Sequence, residues 1–211
     1  MNNALTKATS DISDNWTSLT AQLQDVRSLG QCGCLMVAGQ RLLVHGGEAC
    51  YLDEPGMLSD WLNLPSGHGP SVDSFERLMP DSNEMQEVIQ RGRPLDELLW
   101  MTAWLHSDGE LLSGCRRDDV VSFQRWPNLS RLPHLASTHR IVALLTQRPS
   151  SIVLASRLLK IPESEVAQVY SAGQRAGYAA PINRQVEEPV TRTHRHQSLI
   201  TRLMTRLQRS R

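Results

Sequence analysis

Residues 137–179 read STHRIVALLTQRPSSIVLASRLLKIPESEVAQVYSAGQRAGYA, the most regular hydrophobic pattern in the second half of the chain. Its apolar side chains recur at intervals of three and four residues, which is typical of amphipathic helices. Pro149-Ser150 and Lys160-Ile161-Pro162 interrupt the pattern, and Gly177 follows it as a C-terminal cap. The spacing predicts three short helices in the order of a helix-turn-helix unit, lined by Ile141, Leu144, Leu145, Ile152, Ala155, Leu158, Leu159, Val166, Val169, Tyr170 and Gly173.

Two motifs in this stretch carry a resemblance to a known family. They are ASRLLKIPESEV at 155–166 and AGYA at 176–179, and together they resemble the small winged-helix modules of bacterial regulators. The resemblance implies a winged-helix-like trihelical module over 137–179. It also implies a two-stranded wing after the third helix, although only residues 178–182 remain for it before the chain becomes polar.

The resemblance also suggests where nucleic acid would bind. In the family, the first residues of the third helix face base edges, and here these residues would be Glu163, Ser164, Glu165 and Gln168. Two carboxylates at that edge would be repelled by phosphates, so we expect the module to serve packing or protein contact. DNA binding by a transcriptional regulator is the alternative, with contacts from Arg157, Lys160, Gln168 and Arg175.

The preceding part of the chain predicts a mixed α/β domain over residues 15–130, after a polar, flexible N-terminus at 1–14. Its hydrophobic periodicity and turn residues predict helices at 15–29, 81–90 and 94–105 and a glycine-punctuated antiparallel meander at 34–38, 41–45 and 49–53. Segment 54–80 is rich in proline and is expected to be mostly irregular, with a short helix at 57–62. A strand is expected at 120–126, ending in a corner that buries Trp126. The fold class is therefore α+β and mainly helical, with a small antiparallel sheet in the N-terminal region.

The end of the chain predicts a contact element. Residues 180–193 indicate a linker, and residues 194–211 predict a tethered, basic amphipathic helix without any acidic residue. We expect this helix either to bind another protein or a second copy of the chain, or to fold back on the body of its own chain. A membrane surface is disfavoured because its stripe has no aromatic residue. The expected contact residues are Arg195, Leu199, Ile200, Arg202, Leu203, Met204, Arg206, Leu207 and Arg209.

No catalytic or cofactor motif stands out. Cys32, Cys34, His45 and Cys50 offer the donor types of a zinc site, but their irregular spacing favours free thiols on strands. Whether they meet around a metal is left open. The neighbouring carboxylates Asp53-Glu54, Asp96-Glu97 and Asp118-Asp119 are expected to be solvated, and Trp100 and Trp104 are expected to pack in the core. No cofactor or small-molecule substrate is indicated.

The two halves of the chain carry opposite net charges. The formal net charge is zero, but residues 1–115 contain 6 basic and 16 acidic side chains, and residues 116–211 contain 16 and 6. Such asymmetry bears on partners rather than on fold. With no secretory signal evident, we expect a non-enzymatic bacterial regulatory or adaptor protein of the cytoplasm that acts by protein–protein contact.

Overall fold

The computed structural model describes residues 2–64 and 68–184, with side chains from Asn15 onward. It confirms an α+β protein that is mainly helical and has a small antiparallel sheet in the N-terminal region. The elements in chain order are α1 (Asn2–Ser28), β1 (Cys32–Val37), β2 (Gln40–His45), β3 (Cys50–Asp53), α2 (Met57–Leu62), β4 (Val72–Arg77), α3 (Asn83–Arg91), β5 (Arg93–Pro94), α4 (Leu95–Ser107), β6 (Val120–Phe123), α5 (Thr138–Gln147), β7 (Ser150–Ser151), α6 (Ile152–Leu159), α7 (Glu163–Ala176) and β8 (Ala179–Pro181).

The expected meander forms the centre of the first sheet. Five antiparallel strands lie in the order β4-β1-β2-β3-β5. Because side chains alternate along a strand, Leu35 and Val44 point into the main core, whereas Cys34 and Leu43 pack with buried residues of α3. The sheet is therefore covered by α3 on one face and by α1 and α4 on the other.

The segment before α3 is more regular than its composition predicts. α2 occupies the short helix expected at 57–62, but β4 then pairs with β1, where Phe75 lies opposite Leu35. The expectation of a mostly irregular 54–80 is wrong for this strand. β4 lies at the edge of the sheet and has no fully buried side chain, so its sequence lacks a clear apolar alternation.

The helix α4 lies at the centre of the molecule. It packs against α1 and α7, and apolar residues all around it are buried. Trp100 and Trp104 are buried and stack at 6.1 Å between ring centroids, which confirms that they belong to the core. α1 begins at Asn2 rather than near Asn15, because periodicity detects only the part of the helix that presents an apolar face.

The three expected helices α5, α6 and α7 are accompanied by a second sheet. Its strands lie in the order β7-β6-β8, and β6, which precedes α5 in the chain, is the middle strand. β8 follows Gly177 and pairs with β6, with Ala179 opposite Phe123. The expected strand at 120–126 ends at Phe123, and Trp126 is 52% exposed, so the prediction of a buried corner is wrong. Pro127 and Leu129 are buried at this turn instead.

One hydrophobic cluster extends through the described residues from α1 to β8. It passes without a break from the N-terminal elements into the three-helix unit, mainly through the contact between α4 and α7. Among the helices of residues 2–64 and 68–184, none has both the length and the apolar character that a membrane span requires.

Candidate protein-interaction surface

The third helix of the trihelical unit is covered by α4. Eight of its residues are buried, namely Val166, Ala167, Val169, Tyr170, Ser171, Ala172, Gly173 and Ala176. The side-chain amide of Gln168 donates a hydrogen bond to the backbone carbonyl of Trp104 at 3.1 Å. The structure therefore directs Gln168, one of the four residues suggested for nucleic-acid contact, toward α4.

Arg175 is engaged in a similar way at the other end of α7. One guanidinium nitrogen donates to Oε1 of Gln24 on α1 at 3.0 Å, and another donates to Oγ of Ser113 at 2.9 Å. These contacts tie the end of α7 to α1 and to the loop after α4. Arg175 is therefore engaged with α1 and this loop, whereas Arg157 lies on α6 and Lys160 caps the end of that helix.

The acidic start of α7 is also partly satisfied within the chain. Glu163 forms an ion pair with Arg117 at 2.6 Å, and Glu165 accepts a hydrogen bond from the hydroxyl of Ser137. Carboxylates at this end of a helix also interact favourably with its dipole. These acidic residues thus have a structural role at the point where a DNA-reading helix would present its first turn.

α6 has a different environment, because only Ile152 and Ala155 of its eight residues are buried. Leu154 and Leu158 are 44% and 48% exposed, although they are one turn apart on the same face of the helix. The Ser151 hydroxyl caps the start of α6 by accepting from the backbone N–H of Leu154, and Lys160 ends it in a left-handed conformation. The two leucines are thus exposed on a capped helix with defined ends.

The surface around these leucines is basic. Residues 137–162 contain four basic residues and no acidic residue. Arg140, Arg148, Arg157 and Lys160 are exposed, and within the described part of the chain none of them forms an ion pair. Arg140 also donates to the carbonyl of Leu159, which joins α5 to the end of α6. We call the set Arg140, Arg148, Leu154, Arg157, Leu158 and Lys160 the α5–α6 surface.

The four cysteine-cluster residues are only partly brought together. Strand register places His45 opposite both Cys32 and Cys50, whereas Cys34 lies opposite Leu43. His45 Nδ1 accepts a hydrogen bond from the backbone N–H of Glu48 at 3.1 Å. Burial raises the pKa of the Cys32 and Cys50 thiols, which favours the protonated form. Within the described residues the cysteines are free, and no group of three or more donors is arranged to hold a metal ion.

Two acidic residues that sequence reasoning assigned to solvent are buried. Glu97 is 4% exposed and pairs with Arg93 at 3.2 Å and Arg131 at 3.5 Å. Asp119 is 1% exposed and accepts from the Tyr170 hydroxyl at 2.6 Å and from Arg184. The expectation of solvated pairs is wrong for these two because their partners come from distant segments, which adjacency in sequence cannot reveal.

Burial and hydrogen bonding act in opposite directions on Asp119. Burial raises its pKa, but hydrogen bonds from Arg184 and Tyr170 outweigh this effect and hold the pKa below its usual value. Burial and the bond to Asp119 raise the pKa of Tyr170 in turn, so Tyr170 remains a protonated donor. This network joins α7 to the residues just after β8 and is structural in character.

The remaining contact residues expected from the sequence lie outside the described residues. These are Arg195, Leu199, Ile200, Arg202, Leu203, Met204, Arg206, Leu207 and Arg209. Comparison with known proteins adds no relative: no family model matches the chain, and neither a curated protein nor a solved structure does.

Proposed function

We propose that the protein is a non-enzymatic regulatory or adaptor protein that binds another protein through the α5–α6 surface. The observation that carries the proposal is the coincidence of two exposed leucines with four exposed basic residues on a segment without acidic residues. Apolar anchors within a charged rim are the usual composition of a protein–protein contact. The fitting partner is a protein segment with apolar side chains and acidic neighbours.

The exposed leucines favour protein over nucleic acid as the partner. A phosphate backbone is bound by positive charge and hydrogen-bond donors, and it gains little from Leu154 and Leu158. The helix that would read bases is packed against α4, and its Gln168 bonds to Trp104. DNA binding through residues 137–179 is therefore the weaker alternative.

The trihelical unit and the end of the chain belong to the same proposal. Three helices next to a three-stranded sheet support a winged-helix-like module, with β6 in the place of a wing strand. We further propose that residues 194–211 form a second contact element, through their apolar stripe and their arginines. The bacterial cytoplasm remains the expected setting.

Affinity capture from an extract of the native host tests the proposal. The Leu154→Ser/Leu158→Ser double variant should recover about tenfold less of a specific partner than the unmodified chain, because it removes the apolar anchors. Met79→Ser is the matched control, since Met79 is 70% exposed and lies between β4 and α3 rather than on α5 or α6. Equal recovery by all three proteins would contradict the proposal.

Two further measurements test the second contact element at the end of the chain and the DNA-binding alternative. Deletion of residues 190–211 should weaken capture. Circular dichroism of the shortened chain should show that the rest of the fold is intact. A random DNA duplex should show no gel shift at low salt. A shift that disappears in an Arg157→Ala variant would favour the DNA-binding alternative instead.

A further inference from the structure

An open groove lies between α3 and the face of β2 and β3 that α3 partly covers. Its volume is about 240 Å³, which is more than a leucine side chain occupies. Leu43 of β2 and Leu52 of β3 provide its apolar lining, and Asp53 and Glu54 lie beside them. Leu52 is half-buried and Glu54 is exposed, so the groove can be reached from solvent. We call this feature the α3 groove.

The α3 groove has a negative charge that is not neutralised by its neighbours. Its two arginines, Arg41 and Arg91, each form an ion pair with a glutamate of α3, with N···O distances of 2.5 Å and 2.6 Å. The carboxylates of Asp53 and Glu54 form no ion pair within residues 2–64 and 68–184. These two carboxylates therefore remain available to cations from outside.

The α5–α6 surface has the opposite character. Leu154 and Leu158 are exposed one turn apart, so they project from α6 as apolar knobs. Arg157 lies three residues after Leu154, which places a cation next to the leucines. An exposed leucine with an adjacent arginine matches an apolar groove with two unpaired carboxylates, in both polarity and charge.

The groove and the α5–α6 surface lie on different parts of one molecule. α3 packs on β2 and β3, whereas α5 and α6 pack against α7 and strands of the second sheet. Residues of β2, α5 and α6 belong to the same hydrophobic cluster, which holds these elements in fixed positions. The two surfaces can therefore meet only if they belong to two copies of the chain.

We propose that the chain binds a second copy of itself head to tail, with Leu154 or Leu158 of one copy seated in the α3 groove of the next. Arg157 then faces Asp53 and Glu54 across the contact. This inference rests on the proposed function of the α5–α6 surface and names a partner for it. Because the contact joins two different surfaces, each end of an assembly keeps one free surface, and association continues into chains of copies or closes into a ring.

Sedimentation velocity of the full chain over a range of concentrations tests the proposal. The mean mass should rise with concentration and fall with added salt, because the contact includes charges at the surface. Glu54→Lys should weaken self-association about tenfold, since it brings a cation against Arg157. Glu76→Lys is the matched control, because Glu76 is exposed on β4, which β1 and β2 separate from β3, and it should leave self-association unchanged.

A mixing experiment tests whether the contact is head to tail. The Leu154→Ser/Leu158→Ser variant keeps its groove, and the Glu54→Lys variant keeps its α5–α6 surface, so each alone should be mainly monomeric. An equimolar mixture should form dimers and nothing larger, because only one productive contact remains between the two variants. A contact of the α5–α6 surface with itself would give no dimer in the mixture, and this result would overturn the proposal.

Three other results would also overturn the proposal. These are an unmodified chain that is monomeric at all concentrations, undiminished self-association of Glu54→Lys, and self-association that disappears only on deletion of residues 190–211. If capture of a host protein still depends on Leu154 and Leu158 in any of these cases, the head-to-tail contact fails and the proposed function stands. If the leucine variant changes neither capture nor self-association, both fail.

Discussion

Ala38 has a strained position at the first residue of the turn between β1 and β2. Val37 pairs with Gln40, so the turn contains two residues, and Ala38 and Gly39 have φ values of 49° and 77°. Positive φ at both positions is the type I′ conformation, for which Asn-Gly is the preferred sequence. Alanine lacks the local hydrogen bonding that lets asparagine tolerate this region.

Ala38→Asn should therefore raise the free energy of unfolding by about 0.5–1 kcal/mol, because it relieves strain at an exposed position. Urea denaturation measures the change. Ala38→Val is the matched control and should destabilise the protein, since a β-branched side chain is poorly suited to positive φ. Asparagine and valine variants of equal stability would contradict this account of the turn.

Asp119 makes stability depend on pH in a defined direction. Its pKa is lowered in the folded protein, so its contribution is fully present above the unfolded value of about 3.9 and is lost as the pH falls through the folded pKa. Asp119→Asn should cost about 1–3 kcal/mol near neutral pH, since the partly exposed Arg184 then lacks its carboxylate. The difference from the unmodified chain should shrink below pH 4.

Urea unfolding at several pH values between 3 and 7 checks this prediction. Asp118→Asn is the control, because Asp118 is exposed and no side-chain contact of its carboxylate is seen within the described residues. A cost that stays constant over this pH range would show that Asp119 does not act through its charge.

At the scale of elements, α7 is held against the second sheet by a close approach at Gly173. A Cβ atom there would lie 2.6 Å from Cζ of Phe123 and 3.1 Å from Cβ of Ala179. Phe123 is buried and lacks room to move. Helix propensity alone would make Gly173→Ala stabilising by about 1 kcal/mol, so packing decides the sign of the change.

Gly173→Ala should destabilise the protein by about 1–3 kcal/mol because of overpacking between α7 and β6. Adding Phe123→Leu should recover part of the loss if the ring is the obstacle, and thermal unfolding of the single and double variants measures both effects. A stabilised Gly173→Ala variant would contradict the packing described here.

The elements show which features a sequence can predict. The meander, α5, α6, α7 and the cap at Gly177 follow from local periodicity and turn residues, and all are present. The sequence does not predict β4, β5 and β7, because short edge strands form only where a strand from elsewhere in the chain is available to pair with them. The sequence of α4 does indicate its central position, because a helix that is apolar on all sides is buried. Such a helix needs neighbours on more than one face, and α7 is one of them.

The α5–α6 surface and the Asp119 network show which features could not be predicted from the sequence. Leu154 and Arg157 could be placed on α6 from sequence, but their exposure depends on what covers the helix. The hydrogen bonds of Asp119 with Tyr170 and Arg184 join three segments of the chain, and no local motif predicts them. Sites assembled from distant segments are therefore accessible only through the tertiary structure.

At the scale of the whole molecule, the opposed charges of the two halves partly meet within the chain. Arg125 pairs with Asp96 at 2.8 Å, and Arg131 approaches Glu97 at 3.5 Å, so basic residues of the second half neutralise acidic residues of α4. The basic residues of the α5–α6 surface form no such pairs within the described part of the chain. Their charge therefore remains exposed.

The continuous core predicts cooperative unfolding. Because α4 packs on both α1 and α7, its loss should disrupt the N-terminal elements and the three-helix unit together. Tryptophan fluorescence and far-ultraviolet circular dichroism should give one coincident transition in urea. Two separate transitions would show that residues 15–130 and 137–179 unfold as independent domains.

Hydrogen exchange of the full chain with its captured partner is the direct test of a partner surface on α5 and α6. We expect added protection of backbone amides in α5 and α6, and none in α7, which α4 already covers. The Leu154→Ser/Leu158→Ser variant should lose this added protection. Protection confined to α7, or unchanged exchange throughout α5 and α6, would contradict a partner surface on these two helices.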